Sequence, residues 1–340
     1  MEGTNIAMGK SEDDSEKSLK KLEESLLELE ESLLELKDAD IKLDLKLKYP
    51  FDTEKYVYDP DSSLRAWEYY FEMYYEFLSN VEEEDKDLLF KEKFGKKFWL
   101  SGNAYKRVVG TFCYFENDKY IWPYKLDRDK LKEDQNIGIA GDCVFNFNEK
   151  KVPNFEKIIK KDNLNDQNTK EQIKVVLSLC SKMHYSPFNF SLMPTTGGLN
   201  NIKGRNALDR IDVFLNTLKN IYEKIEKNEE IKEINVTETT GRALIHFLKC
   251  IGSFENYCKI FYQLDYKETK EKDKEKDLVE RLLDNAEKYK SIENSDQLAE
   301  KYKSIENSDQ LVKYMELAVE YWKKQKEKYE KVPDTNKNQS

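Results

Sequence analysis

The sequence predicts an α+β protein, predominantly α-helical, in which a small antiparallel β-sheet at about residues 98–147 packs with a helical core and helical extensions flank both ends. Three observations carry that expectation. Leucines recur at three- and four-residue intervals near the N-terminus, β-branched and aromatic runs concentrate in the middle, and apolar residues return to helical spacing after Pro153. The 340 residues divide accordingly into a charged segment at 1–40 with a short coiled-coil-like helix, a central α+β domain at 41–264, and a charged helical region at 265–340.

Leu19, Leu22, Leu26, Leu29, Leu33 and Leu36 form the first helical seam, and Glu23–Leu36 repeats one heptad verbatim. The seam can join a second copy of the chain or pack on the protein's own body. Ile41, Leu43, Leu45 and Leu47 then alternate with Lys42, Asp44, Lys46 and Lys48, the pattern of a half-buried strand. Asp59-Pro60-Asp61-Ser62 supplies turn and cap chemistry before a helix with Leu64, Trp67, Phe71, Tyr74 and Leu78 on one side. Runs at Tyr105–Phe115, Tyr120–Tyr124 and Ile137–Phe147 read as the strands of the small sheet. Helices are expected over Lys170–Met183, Ala207–Ile225 and Thr240–Leu264, the last with a break at Gly252. Near the end a thirteen-residue duplication, Ala286–Leu298 and Ala299–Leu311, lies within a lysine- and glutamate-rich helical pattern. At 3.6 residues per turn such an insert displaces the apolar stripe by about 140°, which suits a peripheral helix better than a core one.

Composition narrows the function classes. With 39% hydrophobic and 12% aromatic residues the chain can fill a substantial core. The 36% of charged residues and a mean hydropathy of −0.84 imply a wide solvated surface, and the polar ends are expected to contribute least to the core. A net charge of −10, from 57 basic and 67 acidic residues, repels phosphate backbones and argues against nucleic acid. The absence of an 18-residue apolar run and of a secretory leader points to a cytoplasmic protein without a membrane span. Five scattered cysteines without a CxxC read as reduced thiols.

One segment has the makings of a site. From Phe188 to Asn206 an apolar run enters a loop with three of the twelve glycines, directly before a helix. Backbone N–H groups and a helix start near Thr195, Thr196, Gly197, Gly198, Lys203 and Arg205 are the ingredients of an anion site. It is not a Walker loop, since no glycine-lysine-serine/threonine ending follows. Arg205, Asp209, Asp212 and Asn216 fall on one side of the expected helix, so Asp209 and Asp212 could hold a divalent cation while Lys203, Arg205 and Arg210 take a phosphate or carboxylate. The competing reading of the same stripe is an Arg–Asp network that orders the loop and caps the helix. Cys180 with His184 and His246 with Cys250 are each four apart and would together have the composition of a zinc site, although chance spacing of buried cysteines explains them as well, and no metal is expected. No dinucleotide fingerprint and no serine or cysteine nucleophile motif is recognisable, and the sequence points to no particular cofactor.

Phe51-Asp52, Asp59-Pro60-Asp61-Ser62, the Gly197–Gly204 loop and the Asp209-Arg210-Ile211-Asp212 helix resemble features of an uncharacterised bacterial protein family, over roughly residues 49–264. The resemblance implies that loop and helix belong together, and it implies no particular activity. The expected function is that of a non-catalytic binding or interaction protein engaging another protein, or itself, through its helical ends. The alternative is an enzyme or ligand-binding domain acting on a phosphorylated or anionic small molecule at the loop-helix unit of residues 194–212.

Overall fold

The computed structural model describes residues 12–44, 111–116, 119–125, 139–162, 166–194, 209–231, 252–262, 264–266, 276–288 and 304–329, with positions 199, 202–203, 244–245 and 248–249. The leucine seam forms helix α1, Glu12–Asp44. Leu19, Leu22, Leu26, Leu29 and Leu33 are all buried, packed against helices of the same chain, α3 (Gln167–Met183) and α7 (Ser308–Tyr329). Each buried leucine contributes about 1.5–3 kcal/mol relative to exposure, so the seam is a large part of what seats this helix. Polar links fix its register: Ser18 Oγ donates to Glu316 Oε1 at 3.1 Å, Lys323 Nζ to Ser25 Oγ at 2.7 Å, and Lys182 Nζ to Glu30 Oε1 at 2.7 Å. The strand expected from Ile41 is corrected, because α1 runs on through Asp44. Four alternating residues are too few to distinguish a strand from a continuing helix when a long seam already precedes them.

The strands described between residues 111 and 143 fall where β-branched and aromatic residues concentrate. Strands β1 (Thr111–Glu116) and β2 (Lys119–Lys125) pair antiparallel, from Thr111 opposite Lys125 to Glu116 opposite Lys119. Strand β3 (Ile139–Cys143) pairs instead with β4 (Phe190–Pro194), Ile139 opposite Pro194 and Cys143 opposite Phe190. The described strands therefore make two two-stranded ladders, the second recruiting a partner from beyond residue 147. Between β3 and β4 come helices α2 (Val152–Lys161) and α3. Pro153 stands in the first turn of α2, where its missing N–H costs nothing, and Asn148 Oδ1 accepts from the N–H groups of Lys150 and Lys151, both at 3.0 Å. Asp166 caps α3, accepting from the Asn168 and Thr169 N–H groups at 3.0 and 2.8 Å.

Helix α4 spans Ile211–Lys227 and ends on Asn228 in the left-handed region, φ 52°, with the Glu229 N–H returned to the Lys224 carbonyl at 2.9 Å. The break anticipated at Gly252 is present: its φ of +93° precedes helix α5, Phe254–Tyr262. Helix α6 (Leu278–Lys288) lies along α4, and α7 touches α1, α2, α3 and α6. The duplicated thirteen-mer is not one uninterrupted helix. Ala286–Lys288 of the first copy close α6, whereas Ser304–Asn307 of the second are non-helical before α7 begins at Ser308.

Among the described residues a single cluster of buried side chains runs from Leu19 through Phe214 to Trp322. Its aromatic centre joins Phe145 and Phe147 to Tyr314, at ring separations of 5.2 and 5.5 Å, with Trp322 edge-on to both. The expectation that the ends add least to the core is thus overturned by α1 and α7, whose average polarity conceals narrow apolar stripes. The helix expected around Leu64–Leu78, the Phe51–Ser62 stretch, residues 45–47 and residues 105–110 lie outside the described residues.

Candidate functional site

Of the nine residues singled out from the sequence, Thr195, Thr196, Gly197, Gly198 and Arg205 lie outside the described residues. The other four follow different courses. Lys203 is buried beside β3, its Nζ 2.6 Å from Asp142 Oδ2 and also hydrogen-bonded to the Cys143 carbonyl. Arg210 and Asp212, both buried, form an ion pair in which Nε donates to Oδ1 at 3.1 Å and the second guanidinium nitrogen donates to Oδ2. Asn285 Nδ2 adds a hydrogen bond to Asp212 Oδ2 at 2.8 Å, which ties the start of α4 to α6. Asp209 is half-buried and sits 3.4 Å from Lys151 Nζ.

The stripe inferred from an α-helix starting at residue 207 does not hold at Asp209, because α4 begins only at Ile211. Asp209 takes φ 55°, a left-handed conformation that aspartate tolerates better than most residues. Its N–H donates to the Lys203 carbonyl at 3.0 Å. The two carboxylates proposed to share a cation consequently serve different cations of the protein, Lys151 and Arg210. Among the described residues no group of three or more histidine, cysteine or acidic side chains is arranged to hold a metal. His184 Nδ1 lies 3.3 Å from the Phe145 carbonyl and 3.4 Å from the Phe147 N–H, and burial pushes the Cys180 thiol well up. His246 and Cys250 lie outside the described residues.

What Asp209 and Arg210 do face is a cleft of about 390 Å³ between α2, the approach to α4, and Ser304–Ile305 ahead of α7. From α2 and its entry come Lys151, Asn154, Phe155, Lys157, Ile158 and Lys161; Asn146 and Tyr314 complete the lining. Spacings of three and four residues along α2 place these side chains on one flank. Phe155, Ile305, Tyr314 and Arg210 are buried, whereas Lys157, Lys161, Asn154 and Ser304 are exposed, so the cleft has an interior floor and a polar rim. The Tyr314 hydroxyl makes no hydrogen bond of standard geometry, although the Asn146 main chain lies near it. Burial first, and the nearby Asp212 charge second, push that phenol well up, so it stays protonated.

No family model, curated protein or solved structure matches the chain. The chemistry of the cleft therefore rests on its own side chains. Its cations can attract and hold an anion, and its volume falls within the range of about 300–1,000 Å³ common for small-molecule sites. The lysines of α2 escaped the sequence reading because lysine-rich stretches occur throughout. A sharper signal was present in Asn148, Pro153 and the apolar spacing Phe155, Ile158, Ile159, which together define a short amphipathic helix flanked by lysines.

Proposed function

We propose that the protein is a binding protein for a small anionic molecule, a phosphate or carboxylate compound, held in the cleft between α2, the start of α4 and the approach to α7. One observation carries the reading. Four cations line the cleft; Lys151 is matched by Asp209 and Arg210 by Asp212, which leaves Lys157 and Lys161 without an ion-pair partner among the described residues. In a chain of net charge −10 such a local surplus runs against the background field. A thermal-shift series with phosphorylated and carboxylated small molecules tests it, since a ligand at a hundred times its dissociation constant adds about 2.7 kcal/mol of stability. The shift should vanish in Lys157→Glu/Lys161→Glu, and anion-induced shifts that persist in that variant would remove the cleft from consideration.

A second reading, self-association through α1, is favoured by Leu27 and Leu34, which are 49% and 55% exposed at a heptad interval. The repeated heptad that supplies the buried seam at Leu26 and Leu33 places these two leucines beside it, and the matching surface is the same ridge on a second copy of the chain. Light scattering on the full chain and on Leu27→Glu/Leu34→Glu decides this reading. A mass that halves in the variant supports it, and a monomer in both discards it.

A further inference from the structure

Building on the anion-binding reading, we infer that the cleft takes an amphipathic organic anion, with an apolar body directed inward and a single phosphate or carboxylate head held at the rim. The orientation follows from where charge is already neutralised. At the buried floor the guanidinium of Arg210 is paired with the fully buried Asp212, while Phe155, Ile305 and Tyr314 supply apolar surface. An anion pushed to that depth would lose its water for a cation whose charge is already balanced, beside the Asp209 carboxylate. At the rim the situation reverses. Lys157 and Lys161, one helical turn apart on α2, are exposed and have no ion-pair partner among the described residues, so a head group there keeps part of its hydration and meets two ammonium groups. Bare phosphate would use the rim alone and leave a cleft of about 390 Å³ with its apolar floor wet. A ligand that also covers the floor gains the burial of apolar surface, which scales with the area removed from water.

The probes are inorganic phosphate, 1-naphthyl phosphate and 1-naphthol, titrated into the full-length protein by calorimetry, with naphthyl fluorescence as a second readout. 1-Naphthyl phosphate is expected to bind at least about tenfold more tightly than either of the other two. Ile158→Ser, at a half-buried wall position, should abolish most of the advantage of 1-naphthyl phosphate over inorganic phosphate. Lys157→Ala/Lys161→Ala should weaken 1-naphthyl phosphate by about tenfold and flatten its salt dependence. Far-UV circular dichroism confirms that each variant is folded. Equal affinity for inorganic and naphthyl phosphate would overturn the amphipathic ligand and leave the anion-binding reading standing. Equal affinity for naphthol and naphthyl phosphate, insensitive to the lysine variant, would overturn both, as would the absence of binding by all three probes.

Discussion

Asn189 shows how much one side chain can organise. Its Oδ1 accepts from the Phe145 N–H at 2.9 Å and from Trp322 Nε1 at 2.8 Å, while its Nδ2 donates to the carbonyls of Phe145 and His184, both at 2.8 Å. Every donor and acceptor of the amide is used inside the core, joining the end of the β3 segment, the turn after α3, and α7. Asn189→Ala strands those partners and is expected to cost about 3 kcal/mol in a urea melt, whereas a loss below about 1 kcal/mol would mean that water replaces the amide. None of this is legible in the sequence, where Asn189 is one polar residue among the aromatic residues Phe188 and Phe190. The same limit applies to Asp209 and Asp212, whose separation of three suggests a shared face that the left-handed backbone at Asp209 removes. Sequence spacing specifies a face only where the helix has already begun.

At the scale of elements, terminal chemistry decides where helices start. Asp166 accepts from the side chain and N–H of Thr169 and from the N–H of Asn168, and these hydrogen bonds hold its carboxyl below the usual carboxylate range. A lowered folded-state pKa means that the cap stabilises α3 above the unfolded aspartate value, about 3.9, and that this contribution disappears as pH falls through the folded value. Asp166→Asn, which caps without titrating, should therefore show a smaller fall in melting temperature between neutral pH and acid than the parent protein does. Identical pH profiles for the two would show that Asp166 is not linked to folding. Helix α3 is partly legible in the sequence: it is expected from Lys170, but its first turn, Gln167–Thr169, is polar and gives no periodic signal, and its Asp166 cap went unread. Helix α7 has an analogous start, with the Gln310 N–H donating to Asn307 Oδ1 at 3.0 Å and Gln310 Oε1 accepting from the Glu306 N–H at 2.7 Å.

Across the whole molecule, the class of fold was readable and the depth of its ends was not. Helical and extended stretches announce themselves through period, which is local, and so the mostly helical α+β architecture followed from the sequence. Burial is a property of the assembled chain. Helix α7 carries Glu316, Glu320, Lys323 and Lys324 beside Tyr314, Ala318, Tyr321 and Trp322, and averaging over that mixture hides a stripe that is almost wholly enclosed. The cleft is legible only in the same sense: Asp209 and Arg210 were marked by the sequence, while Lys157, Lys161 and Ile305 meet them only once α2 and the approach to α7 are in place. The described helices are also not long and apolar enough to cross a membrane.

The duplication near the C-terminus has a consequence for how this chain can vary. Ala286–Lys288 finish α6 in the first copy and Ser304–Leu311 launch α7 in the second, each with buried members, Ala286, Ile305 and Leu311. Since both copies are identical, unequal exchange at the DNA level that excised residues 289–301 would restore the same thirteen-letter text across the junction. Every residue at either anchor would keep its identity, with thirteen residues fewer between them. Length variants at this spot would thus leave unchanged the residues that close α6 and start α7, and with them Ser304 and Ile305 of the cleft.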